Sequence, residues 1–161
     1  MDKHIYAHRV EEIKGRLYRI ALLHLGNEAL ALDAVSEAVY RGLVAVKKLR
    51  EPQYFDTWMT RILINECNKV WRRGKRELAL EEMVETAEEE AGFEAFPLRE
   101  AIRRLPTELR EVVILRYYAD FTLAEAAKSL GIPQGTVVTR QRRALKLLRL
   151  ELLEEEYGHE S

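Results

Sequence analysis

The sequence has 161 residues, enough for one medium-sized domain or two small helical ones. Hydrophobic residues make up 47% of it and there are only 4 prolines and 8 glycines, so we expect an all-α fold. The single cysteine, Cys67, excludes an intramolecular disulfide, and no apolar run approaches the roughly 20 residues of a membrane span. Because no signal-peptide segment follows Met1 either, we expect a cytoplasmic protein without membrane insertion.

The net charge of −1 conceals a strong charge pattern along the chain. Residues 1–76 carry a net charge of +6, residues 77–97 carry −8, residues 98–150 carry +6 and residues 151–161 carry −5. Two basic blocks on either side of an acidic segment indicate two contacts with a polyanion. Two solvated domains with a mild excess of base would give the same counts, so charge alone leaves both interpretations open.

Three helices are predicted in the first half of the chain. The first covers about residues 3–25, and the second ends before Pro52, which cannot continue it. The third is expected to be capped by Asp56 or Thr57 and to end near Arg73. The second helix carries a stripe of small and apolar residues suited to close packing, namely Ala31, Val35, Ala38, Gly42, Val46 and Leu49.

The second half of the chain predicts an irregular acidic linker followed by four helices. The linker is expected over residues 75–97, between domains at 1–74 and 98–161. The four helices are expected near residues 98–104, 107–118, 122–130 and 134–154.

The strongest local motif is a helix-turn-helix. Residues 122–125, Thr-Leu-Ala-Glu, form a capping box at the start of a short helix, and a Gly-Ile-Pro turn at 131–133 ends it. The next helix turns Val137, Ala144 and Leu148 inward and carries five bases and no acid as far as residue 150, namely Arg140, Arg142, Arg143, Lys146 and Arg149. Such a helix fits the major groove of DNA, although a basic surface helix would show the same pattern.

Both halves of the helix-turn-helix domain resemble region four of bacterial sigma factors. The similarity lies in LPTELREVV at 105–113, typical of that region's first long helix, and GTVVTRQRRAL at 135–145, typical of its recognition helix. In the first half of the chain, DAVSEA at 33–38 resembles the region-two helix that holds the polymerase clamp. FDTWMTRILIN at 55–65 resembles the helix that opens promoter DNA. Region three is absent, which is typical of the extracytoplasmic-function class.

The resemblance implies an all-α protein of two small helical domains, sigma region two and sigma region four, with three groups of site residues. The residues that read the minus-thirty-five element are Thr136, Val138, Thr139, Arg140, Arg142 and Arg143. Those that recognise and melt the minus-ten element are Tyr54, Phe55, Trp58, Arg61, Asn65, Asn68, Arg72 and Arg73. Those that bind the polymerase core are Asp33, Ser36, Glu37, Tyr40 and Arg41. Which of the three aromatic residues stacks on a base, and which supports the loop from below, is left open.

The implied partners are promoter DNA and core RNA polymerase, through the clamp helices of the largest subunit and the flap of the second-largest. A membrane-bound anti-sigma factor is a further partner that the resemblance allows. No catalytic constellation stands out, so we expect no enzyme, no cofactor and no metal. The alternatives are an autonomous helix-turn-helix transcription regulator and an interaction protein that has lost DNA binding.

The acidic segment suggests a further hypothesis. It contains eight glutamates and no base, and it lies between the two basic blocks. It can therefore compete with DNA for either block in the free protein. A plain solvated tether is the alternative.

Overall fold

The computed structural model describes residues 1–78 and 96–160, all of whose regular elements are helical. The chain forms two compact units, Met1–Glu85 and Thr86–Ser161. This confirms the prediction of an all-α protein built from two small helical domains. No helix among the described residues is long and apolar enough to cross a membrane.

The first unit consists of three helices: α1 (Lys3–Leu25), α2 (Glu28–Ala45) and α3 (Phe55–Leu78). The Asp2 side chain caps α1 by accepting a hydrogen bond from the amide of His4, and Gly26 ends it with a φ of 66°. Glycine adopts this left-handed conformation at little cost. The Asn27 side chain then caps α2 by accepting from the amide of Leu30 at 3.0 Å. The predicted break at Gly26 and Asn27 is therefore confirmed.

The small-residue stripe faces the core within α2, as predicted, but α2 ends at Ala45, so that Val46 and Leu49 of the predicted stripe lie after the helix. Ala31, Ala38 and Gly42 are buried, which lets α1 and α3 approach the α2 backbone closely. The Tyr6 hydroxyl of α1 fills the space beside Gly42 and donates a hydrogen bond to the Val39 carbonyl at 2.6 Å. Burial raises the pKa of Tyr6 to about 12, so the hydroxyl keeps its proton throughout the physiological range.

The start of α3 differs from the prediction. A 3₁₀ turn, Pro52–Tyr54, leads directly into a helix that begins at Phe55. Thr57 therefore lies inside the first turn and its hydroxyl donates to the Tyr54 carbonyl at 2.9 Å, while Asp56 pairs with arginines of α1. The prediction that Asp56 or Thr57 caps the helix is wrong, because proline pre-forms the preceding turn and the helix starts earlier.

Regular structure also extends into both ends of the segment predicted as a linker. The helix α3 continues past Arg73 to Leu78, and the next helix begins at Phe96. Residues 79–95, which hold most of the glutamates of the screening hypothesis, lie outside the described residues. The domain boundaries and that hypothesis stay predictions.

The second unit contains α4 (Phe96–Arg104), α5 (Thr107–Val113), α6 (Leu123–Leu130) and α7 (Gln134–Glu160). A π-helical turn, Ile114–Tyr118, extends α5. Buried Arg110 ties α4 to α5, because its guanidinium donates to the carbonyls of Arg103 and Leu105 and to the Thr107 hydroxyl.

The helix-turn-helix is confirmed in detail. Thr122 and Glu125 form the reciprocal capping box of α6, and Gly131 ends that helix with a φ of 69°. The three inward residues of α7, namely Val137, Ala144 and Leu148, are buried. Their burial fixes which face of α7 points outward.

The close packing at Gly42 leads to a stability prediction. A methyl group at this position would overlap the Tyr6 hydroxyl and crowd the Met59 sulfur at 3.1 Å. We expect Gly42→Ala to lower the free energy of unfolding by about 1–3 kcal/mol, the usual cost of overpacking.

Gly15→Ala is the control, because its methyl would meet only the Arg19 guanidinium at 3.7 Å. That variant should be stabilised by about 0.5–1 kcal/mol. Urea unfolding of both variants tests this, and equal stabilities would refute the packing assignment.

Candidate nucleic-acid interface

The outward face of α7 carries the residues predicted to read DNA. Thr139, Arg142 and Arg143 are exposed, and Thr136, Val138 and Arg140 are half-buried. Lys146 and Arg149, further along the same helix, are also exposed. The buried side of the helix packs on α4, α5 and α6. The face left for a ligand is basic, with methyl groups near its start and the exposed side chains of Leu145 and Leu147 further along.

Two of these residues already have partners within the second unit. Arg140 is 22% exposed, and its guanidinium lies 3.8 Å from the carboxylate of Glu108 at the start of α5. The Thr139 hydroxyl donates to the Gly135 carbonyl at 3.0 Å, which leaves its methyl group outermost. Arg142 and Arg143 are thus the more accessible cations of the predicted set.

Arg116 is a residue that the sequence analysis missed. Its Nε donates to Oε1 of Gln141 on α7 at 2.9 Å, and its Nη1 donates to the carbonyl of Phe121. One guanidinium therefore ties the π-helical turn both to the residues that precede α6 and to the first third of α7. The only sequence signal was a base beside the apolar run at residues 112–115, and its partner lies 25 positions away.

The aromatic residues at the start of α3 have different environments. Tyr54 is 37% exposed and Trp58 is half-buried, whereas Phe55 is 0% exposed. Phe55 packs edge-on against Tyr6 and lies 5.9 Å from the Trp58 ring, between ring centroids. Of the two roles that the sequence left open for these aromatic residues, stacking on a base and supporting the loop from below, Phe55 fits the second, because its ring has no accessible face.

The polar stripe predicted on α3 lies at the surface. Arg61, Asn65, Arg72 and Arg73 are exposed, and Asn68 is half-buried. The loop before α3 adds three exposed bases that the sequence analysis did not single out, namely Lys47, Lys48 and Arg50. With the exposed Tyr54 they make residues 47–54 a basic and aromatic segment. The sequence signal that could have identified them is the cluster of bases at residues 47–50, between the second and third predicted helices.

A groove of about 790 Å³ separates the outer parts of α2 and α3. Its walls combine Tyr40 and Arg41 of the predicted core-binding set with Asn65 and Arg72 of the predicted minus-ten set. Glu66 lies in this wall with a side chain only 4% exposed, and it pairs with Nε of Arg41 at 2.7 Å and Nζ of Lys69 at 3.1 Å. This buried carboxylate holds two cations that would otherwise both face solvent.

The predicted core-binding residues share the outward face of α2. Asp33, Ser36, Glu37, Tyr40 and Arg41 are all exposed. Apolar side chains extend this face, since Leu32, Leu43 and Val44 are exposed as well.

In the second unit, Leu98, Tyr117 and Tyr118 are exposed apolar residues. Partial burial raises the pKa of Tyr118, and the positive charge of Arg99 opposes that shift. Such surfaces are typical of protein-binding sites.

Comparison with known families decides between the alternatives. Residues 9–77 match the family Sigma-70 region 2, and residues 101–150 match the family Sigma-70, region 4. The chain is 32% identical to the RNA polymerase sigma factor SigV of Bacillus subtilis, over 91% of this chain and 90% of that protein. It is 31% identical to the ECF RNA polymerase sigma factor SigM of Mycobacterium tuberculosis, over 84% of this chain and 71% of that protein.

The chain belongs to the extracytoplasmic-function sigma factors of RNA polymerase. Its function is promoter recognition in transcription initiation, and an autonomous helix-turn-helix regulator is not favoured. Its relatives are sigma factors, which are not enzymes.

Solved structures share the fold of this sigma factor. It superimposes with a TM-score of 0.78 on RpoE from Bartonella quintana, solved in complex with the anti-sigma factor NepR. The identity is 22%, and the match covers 91% of this chain and 96% of that one. CnrH, solved in complex with the cytosolic domain of CnrY, gives a TM-score of 0.72 at 22% identity over 96% and 90% of the two chains.

The Arg116 link leads to a prediction about this sigma factor. Arg116→Ala removes two hydrogen bonds from a charged donor, which are worth about 1.5–3 kcal/mol each. We expect weaker binding of the holoenzyme to a promoter that depends on its minus-thirty-five element. Gln141→Ala should give part of the same effect, because it removes only the bond to α7. Arg104→Ala is the control, since it removes one exposed cation from α4. Equal promoter dissociation constants for Arg116→Ala and Arg104→Ala would contradict the link.

Proposed function

We propose that the two halves of this sigma factor divide promoter recognition between them. Residues 1–74 bind core polymerase and open the minus-ten element, and residues 98–161 read the minus-thirty-five element. Residues 75–97 are the acidic linker. The observation that carries the proposal is the outward basic face of α7, which the buried Val137, Ala144 and Leu148 hold toward solvent.

At the minus-thirty-five element, α7 enters the major groove. Arg142 and Arg143 pair with guanine or hold phosphate, since both are exposed and bidentate pairing suits the guanidinium. The methyl groups of Thr136, Val138 and Thr139 contact thymine methyls. Arg140 joins them when phosphate competes successfully with Glu108, which lies 3.8 Å away and is itself exposed.

At the minus-ten element, the start of α3 holds the separated non-template strand. Tyr54 and Trp58 stack on bases, because each presents accessible ring surface and Phe55 supports them from below. The exposed polar groups of α3, namely Arg61, Asn65, Arg72 and Arg73, hold the strand backbone, with Asn68 beside them. The exposed bases of the preceding loop, Lys47, Lys48 and Arg50, extend this contact with phosphates.

The outward face of α2 binds the clamp helices of the largest polymerase subunit. Its polar residues are Asp33, Ser36, Glu37, Tyr40 and Arg41, and the neighbouring Leu32 and Val44 are more than half exposed. An exposed apolar centre with charged neighbours is the usual composition of a protein interface. In the second unit, the flap of the second-largest subunit meets the exposed residues Leu98, Tyr117 and Tyr118.

An anti-sigma factor is a further partner, anchored in the membrane and reaching this sigma factor in the cytoplasm. Support comes from the two structural neighbours, both of which were solved with a partner chain. The surface available to such a partner is the exposed apolar face of α2, where it would compete with polymerase.

The assignment of α7 predicts the effect of removing its cations. Replacing Arg140, Arg142 and Arg143 together with Ala should weaken promoter binding, by about 1–3 kcal/mol for each arginine that pairs with a base. The slope of the salt dependence should decrease by about one unit for each arginine that holds a phosphate. Footprinting and transcription by the holoenzyme across a salt series measure both quantities. The control replaces Lys3, Lys14 and Arg19, three exposed bases of α1, with Ala. If the triple α7 variant and this control behave alike, α7 is not the reading helix.

The assignment of α2 predicts that charge reversal impairs polymerase binding. Glu37 is exposed and pairs with Arg41 at 3.2 Å, so Glu37→Lys places two cations side by side on this face. We expect weaker binding to core polymerase at unchanged thermal stability, because exposed pairs contribute little to folding. Glu51→Lys changes the charge equally at an exposed site off this face and should bind normally. Gel filtration with core polymerase tests both, and normal binding by Glu37→Lys would place the clamp surface elsewhere.

A further inference from the structure

The first turn of α3 is attached to α1 by two ion pairs. Nη2 of Arg16 lies 3.1 Å from Oδ2 of Asp56, and Nη2 of Arg9 lies 3.5 Å from Oδ1 of the same carboxylate. One carboxylate at the start of α3 therefore meets two guanidinium groups that are seven positions, or about two helical turns, apart on α1. Two separated points of attachment restrain the rotation of this turn as well as its distance from α1.

The residue before Asp56 is held by the same face of α1. The guanidinium carbon of Arg9 lies 4.9 Å from the centroid of the Phe55 ring, within the range of a cation–π contact. The Tyr6 ring meets Phe55 edge-on, with centroids 5.9 Å apart and an interplanar angle of 79°. Arg9 thus contacts both Phe55 and Asp56, and couples the buried ring to the surface carboxylate.

The anchored turn contains the half-buried Trp58 and directly follows the exposed Tyr54. Trp58 lies against Phe55, with centroids 5.9 Å apart and a tilt of 41°. The Thr57 hydroxyl binds the Tyr54 carbonyl at 2.9 Å, so Tyr54 is tied to the same turn. Any rotation of the turn about the α3 axis would redirect both rings.

Because these ion pairs are partly exposed, they orient the first turn of α3 more than they stabilise the fold. The side chains of Arg9, Arg16 and Asp56 are 30%, 28% and 40% exposed, and ion pairs at such sites contribute little to overall stability. Burial of Phe55 and Met59 already attaches α3 to the core. What the charged groups add is a fixed direction for the turn.

We propose that Asp56, held by Arg9 and Arg16, is a positioning residue for promoter opening. It touches no DNA and acts through the orientation of Trp58 and Tyr54. This inference rests on the proposed role of those two rings in stacking on minus-ten bases. A base that stacks on a misdirected ring loses overlap, so the defect should appear in opening and not in the initial binding of duplex DNA.

The test uses holoenzyme reconstituted with the full-length chain. Asp56→Asn and Arg16→Gln each remove one charge of the cluster, and Asp56→Glu retains it. Permanganate reactivity of promoter thymines measures opening. Core binding, protection of the minus-thirty-five element at low temperature and the thermal unfolding midpoint are measured alongside. Glu11→Gln is the matched control, because it breaks the exposed pair of Glu11 with Lys14 elsewhere on α1.

We expect Asp56→Asn and Arg16→Gln each to reduce promoter opening about tenfold. This corresponds to a loss of about 1.4 kcal/mol, part of the free energy of one base stacking on an aromatic ring. The other three measurements should stay unchanged, and Asp56→Glu and Glu11→Gln should open the promoter normally. The exchange of charges in Asp56→Arg with Arg16→Asp should restore only part of the opening that Asp56→Arg alone loses, because Arg9 then faces a second guanidinium.

A double-mutant comparison separates this inference from the proposal on which it rests. In a background with Tyr54→Ala and Trp58→Ala, the further change Asp56→Asn should cause no additional defect, because the rings through which it acts are gone. If the two aromatic replacements alone leave opening intact, the proposed stacking role fails. If they impair opening while Asp56→Asn is silent, or adds its full effect in their absence, the positioning role of Asp56 is wrong.

Discussion

The contacts of Tyr6 join α1 to both other helices of the first unit and fix the start of α3. Its hydroxyl donates to the Val39 carbonyl of α2, and its ring meets Phe55 of α3 edge-on. This geometry requires glycine at position 42, because any side chain there would occupy the place of the Tyr6 hydroxyl. Since Phe55 is fixed by this contact, the positions of Tyr54 just before it and of Trp58 just after it depend on the contact too.

The two helices that we propose to face DNA, α3 and α7, both have one buried apolar face and one exposed polar face. In α3, Met59 and Leu63 are buried while Arg61 and Asn65 are exposed. In α7, Val137 and Ala144 are buried while the bases between them point outward. Because the apolar face decides how each helix packs, the direction of its cations needs no attraction to DNA to be established.

Acidic residues pair with some of the cations in both units. Glu66 holds Arg41 and Lys69 within the groove between α2 and α3, and Glu108 lies near Arg140. A cation that is already paired within the protein contributes less to the free energy of phosphate binding, because its own partner must first be displaced. A count of bases along the sequence therefore overstates the attraction of a basic segment for DNA, because some of those bases form ion pairs within the fold.

The sequence by itself determined the all-α class, the break at Gly26 and Asn27, the capping box of α6 and the outward faces of α2 and α7, because these depend on local hydrogen bonds and on the spacing of apolar residues. It did not determine where α3 begins. Tertiary structure alone decided which of Tyr54, Phe55 and Trp58 is buried, since three nearby aromatic residues are alike until one of them packs on Tyr6. It also decided the roles of Arg116 and Asp56, whose partners Gln141 and Arg16 lie 25 and 40 positions away. A charged side chain does not encode its partner locally, so only the packing of the helices brings the two together.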